Sequence, residues 1–302
     1  MSLKVLYVNP WGGFDADFAR NRFFLTHALK DIDPDCEISV LPHGSVQDIT
    51  RYDLAISIYH PSVSMKSVNA ARKIAFTGES YDVVANTPDC DAYIGFDLEE
   101  DHDGRNYRYF RFPLYAGYHM DYCVRHGISS FQGLREKYSR DKIAKVSAVV
   151  SNPSNAIRNQ VLNWLIQNSH CDSGGRVLNT VGSVDDKLDF TANYAVGMAF
   201  ENLPKRAYIT EKIYEVYAAD SVPFYFGAPD IAEEFNPDTF LSLDISGDPM
   251  PSVERVLSVM RDPTEQKRMK SIDPCEGYRS ERYIRGGRKI LSDIIRNVLE
   301  TK

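Results

Sequence analysis

The segment 200–229, FENLPKRAYITEKIYEVYAADSVPFYFGAP, constrains this chain most, because it reads as a strand end, a loop, a capped helix and a second strand. The apolar run 195–200 (AVGMAF) has the character of a buried parallel strand, ending at Glu201 and Asn202. Thr210 stands where an N-cap is expected for a helix over 211–220, which aims the amides of Glu211 and Lys212 out of the helix start. A helix N-terminus beside a lysine favours an anion, and open α/β sheets place their ligand crevice at the carboxyl ends of the strands. An ordinary βαβ crossover with a surface lysine satisfies the same spacing, so both readings stand on these residues alone.

Alternating β and α signals run through the chain. Strands are expected at 3–8, 37–41, 54–59, 73–76 and 92–96, with the clearest helix at 18–31. A second series begins with a strand at 145–150 and continues through a helix at 154–167, a strand at 177–179, a helix at 185–192, the opening motif and a last strand near 240–243. Short β runs alternating with helices mean a wound parallel sheet. The segment 115–141 is polar, interrupted by glycine and without a convincing strand, so the linker is placed there. The expected organisation is an N-terminal, acceptor-side domain over 1–120, a linker over 121–143, a nucleotide-binding domain over 144–280 and a closing C-terminal helix over 281–302.

A formal charge of −7 and a pI near 5.6 argue against a nucleic-acid partner, which would need clustered surplus cations. Five cysteines, Cys36, Cys90, Cys123, Cys171 and Cys275, are odd in number, far apart and never in a CxxC pair. Neither a disulfide framework nor a zinc site is indicated, and reduced thiols in a cytoplasmic protein are expected. No apolar run approaches the roughly 20 residues of a membrane span, and the N-terminus moves straight into a strand rather than a signal peptide. The segment 278–302 carries seven Lys or Arg against three acids, with apolar residues at helical spacing. It reads either as a helix packed on its own domain or as a basic amphipathic helix on an anionic membrane surface, which limits membrane contact to a peripheral one on the inner face.

Three separated motifs carry a resemblance to a known family. They are Phe76-Thr77-Gly78-Glu79 followed by Asp91-Ala92-Tyr93-Ile94-Gly95-Phe96-Asp97; then Asp172-Ser173-Gly174-Gly175-Arg176; then Phe200-Glu201-Asn202, Tyr208, Thr210-Glu211-Lys212, Val222-Pro223, Gly227-Ala228-Pro229 and Phe235-Asn236-Pro237. Over residues 73–240 the chain resembles the α-1,3/4-fucosyltransferases, glycosyltransferase family 10, and among them the bacterial soluble type. The resemblance implies two Rossmann-like wound parallel-sheet domains facing a cleft, the GT-B arrangement. It also implies transfer of L-fucose from GDP-fucose, with inversion, to a galactose- or N-acetylglucosamine-type glycan acceptor in α-1,3 or α-1,4 linkage. The chain departs from the family pattern in having Leu203 and Pro204 after Phe-Glu-Asn, and Ser80 where asparagine commonly follows Phe-Thr-Gly-Glu.

A diphosphate leaving group needs its charge held, by a metal on an Asp-x-Asp motif or by fixed cations and a helix start. Asp-x-Asp triplets occur at Asp15/Asp17, Asp31/Asp33, Asp33/Asp35, Asp89/Asp91 and Asp101/Asp103, mostly in turn-like stretches of an acidic chain. The better candidates are Arg176, after a glycine pair, and Lys212, and the resemblance assigns both to the diphosphate. It implies no required metal, leaves open whether a divalent ion stimulates, and gives Asn202, Tyr208, Thr210 and Glu211 to the nucleotide sugar. Asn152 and Arg158, after the strand at 145–150, are expected to face the same crevice; a turn residue and a solvated helix charge are their bland alternatives. Inversion requires one carboxylate to take the acceptor proton. The resemblance assigns that base to Glu79 and makes Glu211 the second catalytic carboxylate.

Trp11, Tyr59, His60, Tyr115 and His119 are aromatic or imidazole candidates for sugar contact, with a core role as the alternative. The chain has no HExxH, Walker loop or GxSxG, so metalloprotease, P-loop NTPase and α/β-hydrolase readings fall away. Rival readings are the same mechanism with another GDP-sugar, and a non-catalytic nucleotide-sugar or glycan-binding module. A NAD-linked oxidoreductase is more distant.

Overall fold

The computed structural model describes residues 2–10, 14–41, 50–58 and 64–301. Trp11, Tyr59 and His60 lie outside the described residues. The chain divides into two compact units, one of residues 1–125 with 285–302 and one of residues 126–284.

The first unit holds an all-parallel sheet of β1 (Lys4–Val8), β2 (Glu37–Leu41), β3 (Tyr52–Ser57), β4 (Ala70–Phe76), β5 (Ala92–Gly95) and β6 (Tyr109–Arg111), in the order β2-β1-β3-β4-β5-β6. Helices α1 (Ala16–Asn21), α2 (Phe24–Ile32), α3 (Val83–Asn86) and α4 (Leu114–His126) accompany it. The helix expected over 18–31 is two helices. In a continuous helix the Ala19 carbonyl would accept from the Phe23 amide; here the Thr26 hydroxyl donates to it at 2.6 Å. The break lets Phe23 and Phe14 meet Tyr7 edge-on in the core. Tyr115 and His119, on α4, are buried core residues.

The second unit holds β7 (Ile143–Val150), β8 (Cys171–Gly175), β9 (Tyr194–Phe200), β10 (Val222–Phe226) and β11 (Leu241–Ser242), all parallel, in the order β11-β10-β9-β7-β8. Its helices are α5 (Phe131–Tyr138), α6 (Ala156–Gln167), α7 (Lys187–Thr191), α8 (Glu211–Ala218), α9 (Ile231–Glu234), α10 (Met250–Met260) and α11 (Pro263–Ser271). Val146, Val196, Phe200 and Phe224 of the sheet pack with Leu162 and Leu165 of α6 and Val256 of α10. The strand expected at 177–179 is instead Cys171–Gly175, an edge strand bonded to β7 alone, and Leu178 takes a left-handed φ of 49° in the turn after it. Segment 115–141 is helical over most of its length, through α4 and α5.

Chain order reverses direction in the second sheet between β7 and β9. β8 leaves β7 on one side, whereas β9, β10 and β11 step away on the other. Such a switch point opens a crevice at the carboxyl ends of its two strands, because the following connections leave on opposite faces.

The last helix, α12 (Arg279–Glu300), buries Tyr283, Leu291, Ile295 and Val298, so its apolar stripe packs within the protein. Ser292 donates to the Ala28 carbonyl at 3.2 Å, Arg288 pairs with Asp31, and Arg72 donates to the Val298 carbonyl at 3.1 Å. Among the described residues no helix is long and apolar enough to cross a membrane. All five cysteines are free thiols, and burial raises those of Cys90 and Cys171 to about 12.

Candidate functional site

The loops after β7 and β9 meet at the switch point. Asn155 caps α6 by accepting from the Arg158 amide, and its amide nitrogen donates across to the Glu201 carbonyl at 2.8 Å. Arg158, only 3 % exposed, donates from Nη1 to Asn202 Oδ1 at 3.0 Å and to the Phe200 carbonyl at 3.3 Å, and from Nη2 to the Asn152 carbonyl. It is therefore a buried brace between the two strand ends rather than a solvated helix charge. Its Nε has no partner among the described residues. Asn152 itself is exposed and accepts from the Ser154 amide in a tight turn.

Glu201, fully buried, organises the start of α8. One carboxylate oxygen accepts from the Thr210 amide at 2.7 Å; the other accepts from the Thr210 hydroxyl at 2.7 Å and from Lys212 Nζ at 3.0 Å. Lys212 also donates to the Thr210 hydroxyl oxygen at 2.8 Å and lies 3.5 Å from Glu211. Thr210 occupies the N-cap position as expected, but its side chain makes no capping bond because Glu201 engages it instead. Burial alone would depress Lys212; the carboxylates of Glu201 and Glu211 outweigh it and hold the ammonium firmly protonated. Burial would likewise raise Glu211, yet Lys212 and Lys187 together keep it below the ordinary carboxylate value, so it is ionised near neutrality.

Tyr208 is 1 % exposed, with its hydroxyl near enough to act electrostatically on Lys212 and Arg158. Its loop is tied down where Ala207, at a left-handed φ of 60°, donates its amide to Asp230 at 2.9 Å. Gly227 ends β10 beside Glu201: a β-carbon there would stand 2.5 Å from Glu201 Cγ, so only glycine leaves room for the buried acid.

Arg176 follows β8 at the same carboxyl edge, one residue beyond the Gly175–Val150 pair of the ladder. It is exposed, and its guanidinium has no partner among the described residues. Formally, Lys212 and Arg158 cancel Glu201 and Glu211. Arg176 and the helix start therefore add positive character to this edge.

Glu79 belongs to the other unit, where it follows β4 at the carboxyl edge of that sheet. It is exposed, and its amide donates to Thr77 Oγ1 at 3.0 Å, which fixes the turn. Several acids of the Asp-x-Asp triplets have local structural partners: Asp15 caps α1, Asp31 pairs with Arg288, Asp33 accepts from the Leu3 amide and Asp91 from the Lys73 amide. Among the described residues no group of three or more His, Cys, Asp or Glu side chains is placed to hold a metal ion.

The structure thus gathers Arg158, Asn202, Thr210, Glu211 and Lys212 into one cluster near the buried Tyr208, with Asn152 bonded to Arg158 through its carbonyl and Arg176 at the same carboxyl edge of the sheet. Sequence reasoning missed Glu201 and Asn155. Glu201 carried a signal, since an acid ending a wholly apolar strand has to find a cation or a helix start. Fold and cluster together define a wound α/β protein with a bonded polar cluster at the switch point of its second sheet.

Residues 139–269 match the family model described as glycosyltransferase family 10 (fucosyltransferase), C-terminal. The chain is 29% identical over 205 residues to the α-(1,3)-fucosyltransferase FucT of Helicobacter pylori, covering 59% of this chain and 42% of that protein. It is 33% identical over 145 residues to a fucosyltransferase-like protein of Arabidopsis thaliana, covering 45% of this chain and 28% of that one. The matched regions are thus less than half the length of either relative. A crystal structure of an α1,3-fucosyltransferase with GDP-fucose superposes with a TM-score of 0.71 at 22% identity, covering 100% of this chain and 91% of that chain. A glycosyltransferase from Rickettsia africae superposes at 0.57 with 11% identity, covering 98% and 99%. The fold class is the expected one, two wound parallel-sheet α/β units of the GT-B type. The resemblance to glycosyltransferase family 10 carried by the motifs is the one these comparisons find.

Proposed function

We propose that this chain is an inverting fucosyltransferase that moves L-fucose from GDP-fucose to a galactose- or N-acetylglucosamine-type glycan, in α-1,3 or α-1,4 linkage, and works in the cytoplasm. The observation that carries the reading is the Glu201-Thr210-Lys212 cluster at the switch point, inside the stretch that matches the family model. The ammonium, the start of α8 and Arg176 all stand at the carboxyl edge of that sheet, which suits a diphosphate.

In this mechanism the acceptor hydroxyl attacks the anomeric carbon from the face opposite GDP. Its proton passes to the Glu79 carboxylate, the new carbon–oxygen bond forms as the bond to the β-phosphate oxygen breaks, and the electron pair leaves with GDP. Lys212 and Arg176 hold the leaving charge; Glu211, kept ionised, accepts from donor-sugar hydroxyls.

The test is release of GDP from GDP-fucose, with and without N-acetyllactosamine, in EDTA and again with manganese. Acceptor-dependent release that persists in EDTA is expected. GDP binding without any release would overturn the transferase reading for this donor and acceptor.

A further inference from the structure

The first unit contains a basin of about 430 Å³, apart from the residues assigned above, lined among others by Glu99, His102, Asp103, Arg105, Tyr107 and Phe110. Its size falls in the range of small-ligand sites. His102 forms its floor, stacked on Tyr109 at 3.7 Å between centroids and 11° between planes, with Nδ1 2.9 Å from the Tyr107 hydroxyl. The other ring nitrogen, Nε2, is buried, lies 3.8 Å from Asp97 and has no hydrogen-bond partner among the described residues.

The lining narrows the ligand class. The aromatic residues Tyr107, Tyr109 and Phe110 share the lining with groups that accept, Glu99 and Asp103, and one that donates, the Arg105 guanidinium, which has no partner among the described residues. In the lining itself the two acids, Glu99 and Asp103, outnumber the one Arg or Lys, Arg105. An anion is disfavoured by that field. A neutral sugar suits such a lining: its C–H groups can pack against an aromatic side chain, and each hydroxyl can both donate to a carboxylate and accept from a guanidinium.

Position links the basin to Glu79. Tyr109 stands in its wall, and its hydroxyl accepts from the Asp97 amide at 3.1 Å while covering Gly95. A β-carbon on Gly95 would stand 2.5 Å from that hydroxyl and 3.4 Å from Thr77 Cγ2. Thr77 is the residue that fixes the Glu79 turn. Tyr109, Gly95 and Thr77 are thus successive neighbours between the basin wall and the Glu79 turn.

We infer that this basin is a subsite for a neutral pyranose unit of the acceptor glycan, an inference that rests on the transferase reading above. Arg105→Ala and Asp103→Ala, both at exposed side chains, should raise KM for N-acetyllactosamine by about tenfold, the equivalent of one charge-assisted hydrogen bond, with KM for GDP-fucose unchanged. Sialylated N-acetyllactosamine should be the poorer acceptor by a similar factor. Acceptor KM values within about twofold of wild type for both variants would overturn the subsite while leaving the transferase standing. If wild type transfers nothing, the transferase reading fails and the basin is read directly, by ligand-observed NMR with N-acetyllactosamine. Binding by wild type that Arg105→Ala abolishes would support the subsite, and no binding by wild type would overturn it.

Discussion

The ammonium of Lys212 lies 3.0 Å from a carboxylate oxygen of Glu201, an acid with no solvent exposure. Removing one member of a buried pair strands the other. Glu201→Gln, which turns one acceptor into a donor facing Thr210 or Lys212, should lower the unfolding free energy by about 3–5 kcal/mol. Urea denaturation checks it, and a loss under about 1 kcal/mol would mean that the pair is not a structural element.

Because Lys212 is bound into the fold, its removal confounds stability with ligand binding. Arg176 is the cleaner probe, being exposed and without a partner among the described residues. Arg176→Ala should leave stability within about 0.5 kcal/mol and weaken GDP by about tenfold or more, by calorimetric titration. Unchanged affinity would remove Arg176 from the donor site.

For the proposed base, Glu79→Gln should lower kcat by between about a hundredfold and ten-thousandfold while GDP affinity stays as in wild type. The substituted side chain is exposed and the turn is held by backbone contacts to Thr77, so the fold should persist. Undiminished turnover would reassign the base.

Gly175 has φ of +82°, and a β-carbon there would meet the Val150 carbonyl oxygen at 2.4 Å. Gly175→Ala should destabilise the second unit by at least about 1–2 kcal/mol and displace Arg176 with it. A thermal melt superposable on wild type would contradict the left-handed turn.

Lys142 donates to the Ala192 and Ala219 carbonyls, two acceptors that a neutral amine can satisfy. Burial lowers it from 10.5 to about 8, Asp220 opposing and nearby cations assisting. Between those values the unfolded chain binds more protons than the folded one, so this group's contribution to stability rises with pH across that window. Below about 8 both states are protonated and the penalty is constant at its full size. Wild type should therefore gain stability relative to Lys142→Met as pH is raised from 8 to 10.5; a constant difference between the two would refute the shift.

Strands such as β1 and β9 were legible because continuous apolar runs leave little alternative to a buried parallel strand. β8 was not: its sequence, CDSGG, has almost no β propensity, and pairing with β7 decides it. The helix break before Phe23 depends on Thr26 reaching back to Ala19, a contact no periodicity announces. In the site, spacing located Thr210, Glu211 and Lys212. What it could not give was the acid that binds them, since Glu201 acts across the nine-residue interval that only folding closes. The same holds for Arg158, whose burial comes from the loop of a neighbouring strand.

The first unit is assembled from two separate stretches, residues 1–125 and 285–302, and the second unit, continuous in sequence, is the stretch between them. On the ribosome, the six strands of the first sheet would emerge well before the helix that covers them. Ala28, Asp31 and Arg72 must wait for Ser292, Arg288 and Val298 until the intervening unit has been made. The later-synthesised unit can thus complete its fold first, and the first sheet would be the part most dependent on holdase chaperones during translation.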